Sequence, residues 1–260
     1  MPVLDTPDFE LYLPPQTSCD GLDQDEEWCE IEHDGERRRI LLHDYATIYG
    51  VPGLYEHIYD EKLNCSSPNV VCDLLRGELD AAGIDPARLT ALDFGAGNGM
   101  VGELLRQMGI DELVGIDLLL EAREAAYRDR PGLYGNYHVL DLTELRRRDR
   151  ARLDQHDFDL MTCVAALGFG DVPPAAFAEA FNLVGSPGWI AFNIRERFLE
   201  DSDPCGFGAF IGRMLEEGVI EERTRVSYTH RVSVAGKPLP YYAIVATKCR
   251  DVPLDWTEDE

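Results

Sequence analysis

The chain has 260 residues, and its 49 acidic side chains outnumber its 24 lysines and arginines, which gives a formal net charge of −25. This length suits one domain with additions, and a hydrophobic fraction of 45% is typical of a globular protein. The acidic balance argues against nucleic acid and anionic membrane surfaces as partners, because both attract clustered Lys and Arg, and no apolar run approaches the ~20 residues of a membrane-spanning helix.

The N-terminal part of the chain is predicted to form an arm and a cap. Residues 1–27 are rich in Asp, Glu and Pro and have little apolar periodicity, which is typical of a flexible arm. Two strand-like runs then flank Asp34-Gly35, a two-residue turn signal that predicts a β-hairpin. A Tyr-rich segment follows, so residues 28–66 are interpreted as an N-terminal hairpin and cap.

The central part alternates strand-like and helical patterns. Ser67-Pro68 predicts a helix start, and an apolar stripe continues to about Ala82. Beyond Leu89, short apolar runs alternate with helical stretches. The runs are Ala91–Phe94, Leu113–Ile116, Tyr137–Leu140, Leu160–Ala165 and Trp189–Ile194. This alternation predicts βαβ units and a doubly wound, Rossmann-like α/β fold with a mainly parallel sheet.

The C-terminal part changes this rhythm. After a helical stretch at Phe207–Glu217, two longer strands are predicted at Glu222–Ala235 and Tyr241–Lys248. They indicate an antiparallel hairpin that closes the edge of a seven-stranded sheet. We therefore assign residues 67–250 to one domain and residues 251–260 to an acidic tail.

The strongest local motif lies where the first central strand meets a helix, in Asp93-Phe-Gly95-Ala-Gly97-Asn-Gly99. Glycines there let the backbone turn sharply and approach a ligand whose polar groups meet the helix N-terminus. The sequence from Gly97 onward also matches the dinucleotide pattern G-x-G-x-x-G. Asp117 ends the next strand, where a carboxylate binds ribose hydroxyls. These features predict an adenosine site, with NAD and S-adenosylmethionine both open.

Three features distinguish these two cofactors. The carboxylate of Asp93, two residues before the first glycine, would repel a pyrophosphate but could receive an ammonium group. Asp141-Leu142 follows a third strand, where it could meet an adenine amino group. The C-terminal hairpin stands in place of the second mononucleotide-binding half of a dehydrogenase. Together they favour S-adenosylmethionine.

The glycine motif resembles motif I of the class I S-adenosylmethionine-dependent methyltransferases. Asp117 and Asp141 fall where that superfamily has its next two cofactor-binding acids, and the resemblance covers about Leu89 to Lys248. Within the superfamily, the chain is most similar to the methyltransferase-like group that includes the Williams–Beuren-region methyltransferase.

The resemblance implies a set of cofactor-binding residues. They are Asp93, Gly95, Ala96, Gly97, Gly99, Asp117, Leu118, Asp141, Leu142, Cys163 and Val164. Asp93 would bind the methionine amino group directly or through water, Asp117 the ribose diol and Asp141 the adenine amino group. Leu118 would pack on the adenine, and Cys163 would lie near the sulfonium. Purely structural roles also fit: a tight turn for the glycines, a helix cap for Asp141 and an apolar core position for Cys163.

The methyl acceptor is only weakly constrained by the sequence. After the fourth central strand the chain lacks the Asn/Asp-Pro-Pro-Tyr signature of methyltransferases that act on amide or exocyclic amino nitrogens. With the charge, this disfavours nucleic-acid bases, so an O or N nucleophile of a small molecule is predicted. The alternatives are a non-catalytic protein that binds S-adenosylmethionine or S-adenosylhomocysteine, a protein-substrate methyltransferase and an NAD(P)-dependent reductase.

Three residues outside the cofactor half are candidates for catalysis: His230, Tyr45 and Arg195. His230 could act as a base, since imidazole titrates near neutral pH, or be a hydrogen-bonded sheet histidine. Strand alternation would place it on the opposite face from Arg231. Arg195 could orient an acidic acceptor or pair with a nearby acid. Those acids are Glu196, Glu200 and Asp201.

Tyr45 belongs to the Tyr-rich segment, together with His43 and Tyr49, and in many members of the superfamily such a segment closes over the cofactor. The seven cysteines are scattered and contain no Cys-x-x-Cys. This pattern argues against a disulfide framework and a metal site, and it fits reduced thiols in a cytoplasm. The oligomeric state is left open.

Overall fold

The alternating pattern folds into a large sheet with helices on both faces, and the N-terminal part adds a small second sheet. The computed structural model describes residues 8–19, 21–33, 35–200 and 205–257. The strands within these ranges are β1 Phe9–Tyr12, β2 Trp28–His33, β3 Glu36–Leu41, β4 Thr90–Phe94, β5 Glu112–Asp117, β6 Asn136–Val139, β7 Phe158–Cys163, β8 Val184–Arg195, β9 Ile220–Val232 and β10 Pro238–Lys248. The helices are α1 Tyr45–Gly50, α2 Leu54–Glu56, α3 Ser67–Ala82, α4 Met100–Met108, α5 Leu120–Asp129, α6 Arg147–Leu153, α7 Pro174–Leu183 and α8 Phe207–Glu216, and a π-helix at His57–Lys62 continues α2.

The large sheet has the order β6-β5-β4-β7-β8-β10-β9. Strands β4 to β8 are parallel, and β10 runs antiparallel to both β8 and β9. This topology confirms the predicted doubly wound, mainly parallel sheet with its C-terminal hairpin. The chain winds to one side after β4 and to the other from β7, so the point of reversal lies between these two strands, where open α/β sheets bind ligands.

Two apolar cores cover the two faces of this sheet. Leu92 of β4 packs with α7 and α8 in one core, whereas its neighbour Ala91 packs with α3 and α4 in the other. Successive side chains of a strand point to opposite faces of the sheet. Because helices cover both faces here, the neighbours Ala91 and Leu92 are both apolar. In the part of the chain that the structure describes, no helix combines the length and apolarity needed to cross a bilayer.

The cap contains the small antiparallel sheet β1-β2-β3 and the tyrosine-rich helices that follow it. Strands β2 and β3 pair from His33 and Glu36 outward, as a tight hairpin requires. Gly35 has a positive φ of 75°, and the predicted turn residue Asp34 lies outside the described residues.

The N-terminal stretch differs from the flexible arm expected over residues 1–27. Phe9–Tyr12 forms β1, which pairs with β2, and the Gln24 side chain donates a hydrogen bond to the Tyr241 hydroxyl at 2.9 Å. Residues 1–7 lie outside the described ranges. The stretch packs because backbone pairing and long-range polar contacts take the place of the missing apolar periodicity.

The expected acidic tail at residues 251–260 also packs in part. Val252 is buried and its amide donates to the Asn182 side chain at 2.9 Å. The Arg213 guanidinium lies 3.9 Å from the centre of the Trp256 ring. Residues 258–260 are outside the described part.

A buried ion pair joins the N-terminal stretch to the end of β9. Arg231 is 1% exposed and Glu27 is 2% exposed, and the guanidinium donates to one Glu27 carboxylate oxygen at 2.6 Å. The other oxygen accepts the Val234 amide at 2.7 Å. Such a pair is tolerated in the interior because each charge is neutralised and hydrogen-bonded.

Replacing Glu27 with Gln should therefore lower the free energy of unfolding by about 3–5 kcal/mol, because Arg231 keeps its charge in the interior without a counter-ion. Urea denaturation measures this loss. The matched control is Glu30→Gln, which removes the partner of the half-exposed Arg37, and here we expect a loss of less than about 1 kcal/mol. Equal losses in both variants would contradict the importance of the buried pair.

Candidate active site

A large cavity, with a volume of about 530 Å³, lies at the C-terminal ends of the parallel strands. Small-molecule sites usually enclose about 300–1,000 Å³, so its size suits a nucleoside-containing ligand. The sequence-predicted cofactor residues on its wall are Gly95, Asp117, Leu118, Asp141, Leu142 and Val164. The fold thus brings together one or two of them from the end of each of β4, β5, β6 and β7.

Asp117, at the end of β5, binds two loops at once. One of its oxygens accepts the amide of Gly97 and the other accepts the amide of Leu119, both at 2.9 Å. Burial raises the pKa of Asp117, and these backbone donors oppose the rise. The carboxylate therefore sets the distance between the glycine loop and the loop after β5.

Close neighbours explain the need for glycine at two positions of the loop. Gly97 has a φ of 54°, and a Cβ there would overlap the hydroxyl of Tyr49 from the cap. Gly95 has a φ of 71°, and a Cβ there would lie 2.9 Å from Cβ of Ala166 in the loop after β7. A larger residue at Gly97 would push Tyr49 of the cap away from the glycine loop, and a larger residue at Gly95 would push away Ala166 of the β7 loop.

Asp93 does not reach the wall of the cavity. It is 1% exposed, and it accepts hydrogen bonds from the hydroxyls of Tyr134 at 2.7 Å and Thr162 at 2.9 Å. Burial raises its pKa to about 6 although both hydrogen bonds favour the ionised form. The Asp93 carboxylate thus joins β4 to Thr162 of β7 and to Tyr134. Ala96, Gly97 and Gly99 also lie off the cavity wall.

The other predicted cofactor residues differ in their surroundings. Asp141 lies exposed on the wall, and one of its oxygens accepts both the amide and the hydroxyl of Thr143, so it also caps the turn Leu142–Glu144. Leu118 is 58% exposed on the same wall. Cys163 instead packs in the core, where burial raises the pKa of its thiol, and the adjacent Val164 takes the position on the wall.

Aromatic side chains of the cap form the opposite wall. Tyr45, Tyr49 and Tyr55 line the cavity, and their rings stack with centroids 6.2 Å apart for Tyr45–Tyr49 and 5.1 Å apart for Tyr49–Tyr55. Burial raises the pKa of all three phenols. The surface that these three tyrosines present is therefore neutral, flat and largely apolar. Of these tyrosines, Tyr45 was predicted as a candidate for catalysis.

Polar contacts attach this cap to the cofactor half. Glu56 of α2 accepts hydrogen bonds from the Asn98 amide group at 2.7 Å and from Arg130 at 3.0 Å. Arg128 donates to the backbone carbonyl of Tyr49 at 3.0 Å. The side chains that hold the cap thus come from the glycine loop and from α5 with the residue that follows it.

A second cavity of about 20 Å³, enough for roughly one water molecule, adjoins the large one. Residues common to both linings are His43, Tyr45, Tyr55, Ala165, Ala166 and Asp171. His230 and Arg231 line only the small cavity.

The prediction that His230 and Arg231 face opposite sides of β9 is wrong, because a β-bulge interrupts the alternation. Arg231 pairs with Leu239 and Thr229 pairs with Pro240, so His230 is the extra residue. Its Nδ1 lies 2.6 Å from the hydroxyl of Ser67. Burial lowers the pKa of His230 well below its usual value, so the imidazole is neutral.

Arg195 lines neither cavity and does not pair with Glu196 or Glu200. It donates to Asp23 at 2.9 Å, and Arg197 contacts the other oxygen of the same carboxylate at 2.6 Å. Burial opposes the charge of Asp23, but these two guanidinium groups outweigh it and lower the pKa to about 2. The third predicted partner, Asp201, lies outside the described residues. Arg195 thus anchors the N-terminal stretch.

Asp171, on the loop after β7, was missed by the sequence analysis. Ala165 and Phe169 of this loop have positive φ angles of 57° and 54°, which is uncommon for residues with side chains. The signal that could have found Asp171 is the Gly168-Phe-Gly170 pattern directly before it, since both glycines also have positive φ.

The sheet order and the cavity at its point of reversal define the Rossmann-like class I methyltransferase architecture. A family described as "Methyltransferase domain" matches residues 68–230, more than half of the chain. The chain therefore belongs to this family, whose cofactor is S-adenosylmethionine. The narrower resemblance to the Williams–Beuren-region group stays a prediction.

Two curated relatives are ubiquinone biosynthesis O-methyltransferases. The protein from Burkholderia ambifaria is 29% identical over 131 residues, which are 49% of this chain and 54% of that protein. The protein from Paraburkholderia phytofirmans is 31% identical over 134 residues, with 50% and 54% covered. The chain thus spans about half the length of these relatives.

A solved structure shares the fold. It is that of a putative RNA methyltransferase from Pyrococcus horikoshii, with a TM-score of 0.50 and 13% identity. The superposition covers 68% of this chain and 83% of the other. At this identity the likeness concerns the architecture alone.

The buried carboxyl of Asp93 should make stability depend on pH. Its pKa is raised from the unfolded value of 3.8 to about 6, so the native state binds the proton more tightly, and stability falls as the pH rises from about 4 to about 6. Replacement with Asn should remove this dependence, so that the variant gains up to about 3 kcal/mol relative to the wild type between pH 4 and pH 7.

Urea denaturation at both pH values tests this expectation. Asp111→Asn is the control, since the side chain of Asp111 is 72% exposed. A relative stability of Asp93→Asn that is the same at both pH values would show that the Asp93 carboxyl titrates normally.

Proposed function

We propose that this protein transfers a methyl group from S-adenosylmethionine to an oxygen or nitrogen nucleophile of a small molecule. The observation that carries the proposal is the Asp117 carboxylate on the wall of the large cavity, held in place by the amides of Gly97 and Leu119. A carboxylate at the end of the second parallel strand is suited to accept both hydroxyls of a ribose.

The same wall supplies groups for the adenine. The exposed Leu118 offers an apolar surface to one face of the ring. Asp141 has one oxygen engaged by Thr143, and its second oxygen would accept the exocyclic amino group. The methionine portion would extend toward Gly95, where the absence of a side chain exposes the backbone.

The resemblance implies that Asp93 contacts the methionine amino group directly or through water, and this proposal favours an indirect contact. The hydrogen bonds of Asp93 to Tyr134 and Thr162 keep it off the cavity wall, so it would act by shaping the glycine loop. Any contact with the methionine amino group would run through that loop or through water.

S-adenosylmethionine supplies a methyl group already activated by the adjacent sulfonium. The chain's main task is then to hold the acceptor in line and to exclude water, which can account for much of the rate. The tyrosine wall of the cap suits both tasks, since it covers the cavity with flat, neutral rings. The names of the curated relatives, which are O-methyltransferases of ubiquinone biosynthesis, support a small-molecule acceptor.

Calorimetric titration with S-adenosylmethionine, S-adenosylhomocysteine and NADH tests the cofactor. We expect the first two to bind and NADH not to bind. Asp117→Ala should weaken binding at least about tenfold, because a carboxylate that orders two loops and binds the ribose is lost. Asp111→Ala, a change at an exposed acid before β5, should leave binding unchanged. Binding of NADH alone would overturn the proposal in favour of a reductase.

Turnover separates an enzyme from a binding protein. Release of S-adenosylhomocysteine is measured with a panel of small phenols, alcohols and amines and, in parallel, with basic proteins. Turnover with a member of the small-molecule panel is the expected result. Turnover confined to the proteins would contradict the proposed substrate class, and tight binding without any turnover would favour the non-catalytic alternative.

A further inference from the structure

A histidine and an aspartate meet where the two cavities adjoin. His43 lies two residues after β3, and Asp171 lies on the loop after β7. Nδ1 of His43 is 3.2 Å from a carboxylate oxygen of Asp171, and both residues line both cavities. The pair thus joins the cap to the large sheet at the wall of the cavity.

The carboxylate determines which imidazole nitrogen is available. A proton on Nδ1 is favoured by the oxygen beside it, so the lone pair is on Nε2. No hydrogen bond to this Nε2 occurs within the described ranges. The ring is held between Tyr45, at a centroid distance of 5.5 Å, and the edge of Phe169, at 5.3 Å. Its orientation is therefore set by an acid on one nitrogen and by two aromatic side chains.

His230 cannot take the same part. Its Nδ1 is bonded to Ser67, it is buried against Tyr241 with ring centroids 4.3 Å apart, and it lines only the small cavity. His43 lines the large cavity, which has room for an acceptor molecule. Of the two histidines, only His43 borders both the cofactor cavity and the tyrosine wall.

We propose that His43, positioned by Asp171, accepts the proton of an aromatic hydroxyl group that is bound in the large cavity against the tyrosine wall. This inference rests on the proposed function and narrows its substrate class. A neutral amine attacks through its own lone pair, whereas a hydroxyl becomes a good nucleophile only as its proton leaves, so a built-in base indicates a hydroxyl acceptor. The stacked rings of Tyr45, Tyr49 and Tyr55 favour a planar aromatic one.

In the proposed step the acceptor attacks the methyl group through the oxygen of its hydroxyl. Its oxygen forms a bond to the methyl carbon, the bond between that carbon and sulfur breaks, and the electron pair of this bond stays on sulfur. The hydroxyl proton passes to Nε2 of His43, and the imidazolium is stabilised by the Asp171 carboxylate. The proton is then released to water, which restores the neutral imidazole.

The probe for this inference is 4-nitrophenol, whose ionised form is coloured. The protein is saturated with S-adenosylhomocysteine so that no transfer occurs, and the absorbance of the bound probe is followed against pH. We expect the bound phenol to ionise at a pH about one unit below that of the free phenol, a tenfold change in its ionisation constant, because His43 takes the proton.

The charged and titratable groups around His43 define the variants. They are Asp171 on the β7 loop, Asp44 and Tyr45 at the start of α1, Tyr55 and Tyr59 of the cap, His230 and Arg231 on β9, and Tyr241 on β10. His43→Asn should abolish the shift, and Asp171→Asn should reduce it. His156→Asn, at a histidine outside both cavities, should retain it. The probe 4-nitroanisole, which has no hydroxyl proton, should bind the wild type and His43→Asn equally.

Each outcome bears on one statement. Equal ionisation of 4-nitrophenol in the wild type and in His43→Asn would overturn the role of His43, and failure of the wild type to bind this probe would overturn the aromatic hydroxyl acceptor. Both results leave the proposed function standing if calorimetry shows that S-adenosylhomocysteine binds. Failure of the wild type to bind S-adenosylhomocysteine would instead overturn the proposed function itself.

Discussion

Asp117 accepts the amides of Gly97 and Leu119, so a single carboxylate fixes the glycine loop relative to the loop after β5. The parallel register of β4 and β5 places Phe94 beside Ile116, and the two loops therefore leave the sheet side by side. Burying a carboxylate is costly unless donors surround it, and backbone amides at the strand ends supply them. Two other parts of the cavity wall lie against the glycine loop, since Tyr49 of the cap approaches Gly97 and Ala166 of the β7 loop approaches Gly95.

The cap contacts the same loop at Gly97, one of its three glycines. Because Gly97 has no Cβ, the hydroxyl of Tyr49 lies directly against the loop, and Arg128 binds the carbonyl of Tyr49 from the other side. Glu56 attaches the cap a second time, because its carboxylate accepts hydrogen bonds from Asn98 and from Arg130. Gly97 is thus required by the turn and by the cap together, and a change in the loop is transmitted to the tyrosine wall.

The features that could be predicted from sequence are those encoded by neighbouring residues. Apolar alternation predicted the large sheet and its C-terminal hairpin, and the same local pattern predicted that Asp117 lies at the end of a strand. The partner of Arg195 could not be found in this way, since Asp23 is 172 residues away and belongs to a stretch without apolar periodicity. The bulge at His230 could not be predicted, because a bulge has no local sequence signal when its partner strand is unknown. Asp171 was missed because the Gly168-Phe-Gly170 pattern before it indicates a turn but does not show that the turn lies beside the cavity.

The two histidines near the cavities are linked by one chain of contacts, which gives the buried one a structural role. His230 contacts Ser67, Ser67 accepts from Asn193 at 3.0 Å, and Asn193 accepts the amide of Ala165 at 2.6 Å. Ala165 has a left-handed backbone conformation that costs free energy, so it needs such an anchor. This anchor holds the start of the loop that ends near Asp171. A neutral His230 on the sheet therefore helps to place the carboxylate that orients His43. The two imidazoles differ because His43 borders the large cavity, whereas His230 borders only the small one.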